Sequence, residues 1–143
     1  MKSDPDGRML SRVPSQDEAY PDDNPKTVLG IAKPALHVIP PVALIHLGQV
    51  MSDGARKYGP FNWREKRISF SVYFNAAMRH WLAAWDGEDV ASDSKLLHLA
   101  HAMACGAILL DAMAQGTLND DRPKIPGKTA ELIAALTKRP ADG

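Results

Sequence analysis

This sequence predicts an all-α fold: a compact helical bundle built on two long alanine-rich helices, with a disordered or extended N-terminal arm. Three observations carry that reading. Ser69 to Gln115 divides into a helix, a short acidic turn and a second helix, with no proline inside either arm. The arms, SFSVYFNAAMRHWLAAW and LLHLAHAMACGAILLDAMAQ, are rich in alanine, a strong helix former whose small side chain lets two backbones approach closely. No stretch keeps the apolar–polar alternation of a half-buried strand.

In chain order, residues 1–32 form the arm. Up to about Lys26 it is acidic, proline-rich and poor in anything to bury. The prolines of AKPALHVIPP then keep the backbone extended or turning as far as Pro41. Residues 33–118 form the helical domain. Pro41 suits the first turn of a helix, where a missing N–H costs nothing, and VALIHLGQVMSDGARKY follows with Val42, Ile45, Gln49 and Val50 along one side. Gly54 is expected to end that helix near Asp53. GARKYGPFNWRE is then a loop, with Gly59–Pro60 as its turn.

Ser69 is the expected N-cap of the first long helix, and Ser92, Asp93 or Ser94 that of the second. On the first, only Asn75, Arg79 and Asp86 interrupt an apolar surface that extends nearly all round, so it must be buried on most sides. On the second, Leu99, Ala102, Met103, Gly106, Leu109, Leu110 and Met113 supply the apolar face. A packed region of about 80 residues is small for a lone core, which predicts a homodimer or larger homo-oligomer. Residues 119–143 read as a linker and a short amphipathic helix within KTAELIAALTKR.

Composition excludes several classes. The chain of 143 residues carries 17 basic and 17 acidic residues, and this balance disfavours bulk nucleic-acid binding. No apolar run approaches the roughly 20 residues of a membrane span, and the N-terminus lacks the apolar stretch of a secretory leader. A lone cysteine, Cys105, fits a reducing cytoplasm and reads as core.

Chemistry-bearing residues gather around the two long helices. The loop holds Lys57, Tyr58, Asn62, Trp63 and Arg64, side chains able to stack on a base, bond its edge and grip phosphate. Equally, Tyr58, Phe61 and Trp63 could fold back as a hydrophobic plug; the two readings are compatible. His98 and His101 lie three apart on one helix, too few ligands for zinc. His37 and His46 read as hydrogen-bonded core residues. Glu88, Asp89 and Asp93 crowd the connecting turn, either as a solvated, capped turn or as carboxylates for magnesium, which takes one or two of them plus substrate phosphates. Arg79, in an apolar helix, needs an anion: Asp86 or Glu88 within the chain, or a ligand phosphate. With His80 beside it, the set looks like a nucleotide-phosphate site.

These residues also form a recognisable series. Lys33–Pro34, Pro40–Pro41, Gly54–Ala55, Lys57–Tyr58–Gly59, Asn62–Trp63, Arg79–His80, Gly87–Glu88–Asp89 and the HLAHA of His98–Ala102 occur in order. Between about Lys33 and Gln115 the chain resembles the phage-associated family called dATP/dGTP diphosphohydrolase, N-terminal. The resemblance implies a pyrophosphohydrolase of phage nucleotide metabolism, working in the host cytoplasm, that splits a purine dNTP into dNMP and pyrophosphate. On that reading Glu88, Asp89 and Asp93 hold Mg2+. Lys57, Arg79 and Arg64 neutralise phosphate charge, Tyr58, Asn62 and Trp63 contact base or sugar, and His80, His98 or His101 orients water or leaving group. The chain departs from the family's pattern at Ala91, where an acid is expected, and at Lys95, where glycine is expected. Two alternatives follow: a protein of the same fold that sequesters a nucleotide without hydrolysing it, and a helical protein-interaction module.

Overall fold

The computed structural model describes residues 23–137. It divides into two compact units at Pro40–Pro41. Of the expected N-terminal arm, residues 1–22 lie outside the described residues. The rest of the first unit is not simply extended: it holds a short helix, α1 (Pro25–Gly30), and a single 3₁₀ turn over Leu36–Val38. Asn24 caps α1, its side chain accepting from the Lys26 N–H at 2.9 Å, and Pro25 takes the first helical position.

The second unit is a helical bundle around one central helix. Its elements are α2 (Pro41–Tyr58), α3 (Asn62–Glu65), β1 (Ile68–Ser69), α4 (Phe70–Trp85), α5 (His98–Gln115), β2 (Leu118–Asn119) and α6 (Thr129–Leu136). α5 packs chiefly on α4, then on α2, then on α3. It can touch three helices because Ala100, Ala102, Ala104 and Ala112 are its buried residues, joined by His98 and Leu109. Val50 of α2 meets Ala100 and Ala104 there, with Leu47, Met51, Leu96, Leu97 and Met103 around them.

Several sequence expectations are corrected. Gly54 does not end α2, which continues to Tyr58 and stops where Gly59 turns left-handed at φ 88°. The fold is not purely helical: β1 and β2 pair in parallel, Ile68 opposite Leu118 and Ser69 opposite Asn119. Two residues are too few to alternate, so no sequence pattern announces them. Ser69 occupies the N-cap of α4, but its hydroxyl accepts from Asn119 Nδ2 at 2.9 Å. The capping bond comes from Asp121, which accepts from the Ser71 N–H at 2.8 Å and also meets the Ser71 hydroxyl. The supposed linker after residue 118 is thereby tied to the start of α4.

α5 likewise begins at His98 behind an uncapped Leu97, so Ser92, Asp93 and Ser94 are not its caps. Its predicted apolar face is split, with Ala102 and Leu109 buried and Leu99, Leu110 and Met113 exposed. Val42 and Ile45 of α2 are exposed as well. The largest departure is α4, which has no buried residue; Trp81 and Trp85 are both exposed. His37 is exposed rather than core, and His46, half-buried, bonds Gln49 at 3.1 Å. No helix among the described residues is long and apolar enough to cross a membrane.

Candidate functional site

The C-terminal half of α2, the loop behind it and the facing sides of α4 and α5 line a cavity of about 520 Å³. That lies in the range of small-molecule sites, roughly 300–1,000 Å³.

The loop wall is pinned by one carboxylate. Trp63 is buried, and its Nε1 donates to Asp111 Oδ2 at 2.6 Å. Arg64 donates from Nε and Nη2 to the two oxygens of Asp111 at 2.8 and 2.9 Å, while its guanidinium lies 4.5 Å over the Phe61 ring. Arg64, then Trp63, holds the Asp111 carboxyl down at about 2. Asn62 Nδ2 donates to the Gly59 carbonyl at 3.1 Å and closes the turn. Of the expected plug only Trp63 folds in; Tyr58 and Phe61 stay exposed and, with Asn62, line the cavity.

On α2, Asp53 and Lys57 stand one turn apart and both border the cavity. Lys57 Nζ meets Asp53 Oδ2 at 2.6 Å, and Arg56 meets Oδ1 at 3.2 Å. The bond from Lys57 lowers the Asp53 carboxyl and raises the lysine. Asp93 reaches the same cavity, lowered chiefly by the Ser94 N–H that it accepts at 2.8 Å.

Three histidines meet between α4 and α5. His80 stacks on His101 with ring centres 4.5 Å apart and planes within 9°. Its Nδ1 lies 2.8 Å from His98 Nδ1. The far nitrogen of His98, Nε2, is buried and 3.3 Å from Glu88 Oε1, within ion-pair reach but poorly aligned for a hydrogen bond. Only one of the two facing Nδ1 atoms can donate, and which one depends on the tautomers of the two rings. Ser94 Oγ accepts from the Leu96 N–H at 3.2 Å and lies 2.7 Å from His101 Nε2. Burial lowers both His80 and His101, and for His80 its two histidine neighbours add to the effect. His80, lowered in this way, is held toward its neutral form on the cavity wall.

Of the residues singled out in the sequence, Lys57, Tyr58, Asn62, Trp63, His80, Asp93 and His101 border this cavity. Arg64, Arg79, Glu88, Asp89 and His98 do not. Arg64 is committed to Asp111. Arg79 is exposed, so it carries no burial penalty to be relieved by an anion. Glu88 faces His98, and the Asp89 carbonyl accepts the His98 N–H at 2.9 Å. Among the described residues no group of three or more His, Cys, Asp or Glu is placed to hold a metal ion. Glu88, Asp89 and Asp93 therefore do not form a protein-only cage, because the turn spreads them to different partners. The carboxylates that border the cavity are Asp53 and Asp93.

Sequence reasoning missed Asp53, Tyr73 and Cys105 as wall residues. The four-residue spacing of Asp53 and Lys57 was a readable signal for the first. Cys105 is half-buried rather than core, its thiol raised by burial.

A family model described as dATP/dGTP diphosphohydrolase, N-terminal, matches residues 23–122. The chain belongs to this family. Every residue lining the cavity lies inside the family domain. So do β2 and Asp121, which places the anchored segment after residue 118 within the domain rather than in a linker. No curated protein and no solved structure matches the chain.

Proposed function

We propose that this family domain hydrolyses a purine deoxynucleoside triphosphate to dNMP and pyrophosphate. One observation carries the reading: a single cavity is lined both by an aromatic loop and by Lys57, Asp53, Asp93, His80 and His101. Tyr58, Phe61 and Asn62 receive the base or sugar, and Lys57 meets phosphate. Asp53 and Asp93 are the carboxylates that would hold magnesium beside the triphosphate. Bound there, it would draw charge from the phosphate oxygens. His80 Nε2 takes a proton from water as the water oxygen bonds the α-phosphorus. The bond from that phosphorus to the α–β bridging oxygen breaks, and pyrophosphate leaves with its electron pair. A panel of dNTPs and NTPs with magnesium, products resolved by chromatography, tests this. Monophosphate and pyrophosphate from dGTP or dATP are expected; inorganic triphosphate, or no product, counts against it.

One observation favours a second reading, sequestration without hydrolysis. Ala91, where the resemblance to the family leads one to expect an acid, is 2% exposed, and among the described residues no group of three or more His, Cys, Asp or Glu is placed to hold a metal ion. Calorimetric binding of dGTP with no product formed would select it.

A further inference from the structure

We infer that Asp111 is a positioning residue for the substrate's base: it sets the loop so that the Phe61 ring offers a stacking face in the cavity. This role presupposes a nucleotide in the cavity, as proposed for the domain. Phe61 stands at φ 54° and ψ 29°, in the left-handed region that a bulky side chain rarely adopts. The residues just after it hold it there. Trp63 Nε1 and Arg64 Nε and Nη2 place three donors on the two Asp111 oxygens, at 2.6, 2.8 and 2.9 Å. The Arg64 N–H donates in turn to the Phe61 carbonyl at 3.0 Å. Asp111 belongs to α5 and does not line the cavity, so the central helix fixes the loop without touching what the cavity binds.

Strain of this kind persists only where the surroundings over-determine it, and at Phe61 the chain gains little packing in return. The ring lines the cavity and is still 53% exposed. The Arg64 guanidinium lies 4.5 Å over it, and the Trp63 ring meets it tilted at 54°, centres 5.5 Å apart. A strained backbone that keeps an aromatic ring half in water suits a planar partner better than it suits a core. A nucleotide base laid on the ring would complete a stack of guanidinium, ring and base. Stacking uses the π-face, which every base has, so this contact supplies affinity without choosing a base by its edge. Trp63 and Arg64, expected from the sequence to touch base and phosphate, then act at one remove: they carry the hold of Asp111 to Phe61.

Titration calorimetry of the full chain with dGTP and, separately, with inorganic tripolyphosphate, which has no base, tests the assignment. Asp111→Asn and Phe61→Leu should each weaken dGTP binding at least about tenfold and change tripolyphosphate binding less than about twofold. Phe61→Tyr keeps an aromatic ring and should bind dGTP within about threefold of the wild type. Should Asp111→Asn not fold, Arg64→Gln decides, because it opens the same clamp from a side chain that is 43% exposed. Equal losses for dGTP and tripolyphosphate in the clamp variant overturn the assignment, since a merely structural role moves both. A Phe61→Leu variant that binds dGTP like the wild type overturns it too. The two failures are distinguishable: a wild type that binds tripolyphosphate but no dNTP overturns the nucleotide reading, and variants that match a dGTP-binding wild type overturn only the role of Asp111 and Phe61.

Discussion

The Nδ1 atoms of His80 and His98 stand 2.8 Å apart, so a ring-to-ring hydrogen bond joins α4 to α5 beside the cavity. Only one of two facing nitrogens can carry the proton, and Glu88 Oε1 lies 3.3 Å from the other nitrogen of His98. Glu88 stands against His98 and does not border the cavity. Glu88→Gln is expected to lower turnover on the order of tenfold, with little change in nucleotide affinity. The acid limb of the pH–rate profile should move to lower pH, since loss of the carboxylate disfavours protonated histidine. Steady-state kinetics across pH, with calorimetry for affinity, check both effects.

Stability should depend on pH through the same histidines. Burial lowers His80 and His101 below the ordinary value of 6.5, so the unfolded chain binds more protons than the folded one near that pH. Asp93 opposes the shift for both rings, while Arg79 and His98 reinforce it at His80. Stability is therefore fully present above about pH 7 and is lost as pH falls through 6.5 toward the lowered folded values. Thermal melts should show this loss, reduced in His80→Asn. Asp111, held at about 2, contributes its own loss only in much stronger acid.

Lys57 and Arg79 are separable. Lys57 borders the cavity, whereas Arg79 is exposed and does not line it. Lys57→Met should weaken dNTP binding by about tenfold or more, in line with the loss of one charge-assisted contact. Arg79→Met should change it less than about threefold. Titration calorimetry of both variants checks the contrast, and equal losses would return Arg79 to the site.

Lys95 stands at φ 61°, in the left-handed region that favours glycine. A side chain there strains the backbone, and glycine does not. Lys95→Gly should raise unfolding free energy by about 1 kcal/mol, measurable by urea titration, with no change at the cavity.

The two long helices, the proline start of α2 and the gathering of Lys57, Tyr58, Asn62, His80 and His101 were legible because periodicity, capping residues and motif spacing are local properties of the chain. Family membership was legible for the same reason, as an ordered series of short motifs. The β1–β2 pair, the Asp121 cap on α4 and the Asp111 clamp on Trp63 and Arg64 were not. Each joins residues about 50 positions apart, and no short-range pattern encodes such a bond. Likewise, the sequence alone determined that α4 is apolar nearly all round, since composition around a helix needs no neighbour to define it. Only the tertiary structure decided which side of α4 meets α5 and which is left in water. That choice rests on His80 reaching His98 and on the buried alanines of α5, where small side chains allow the closest approach.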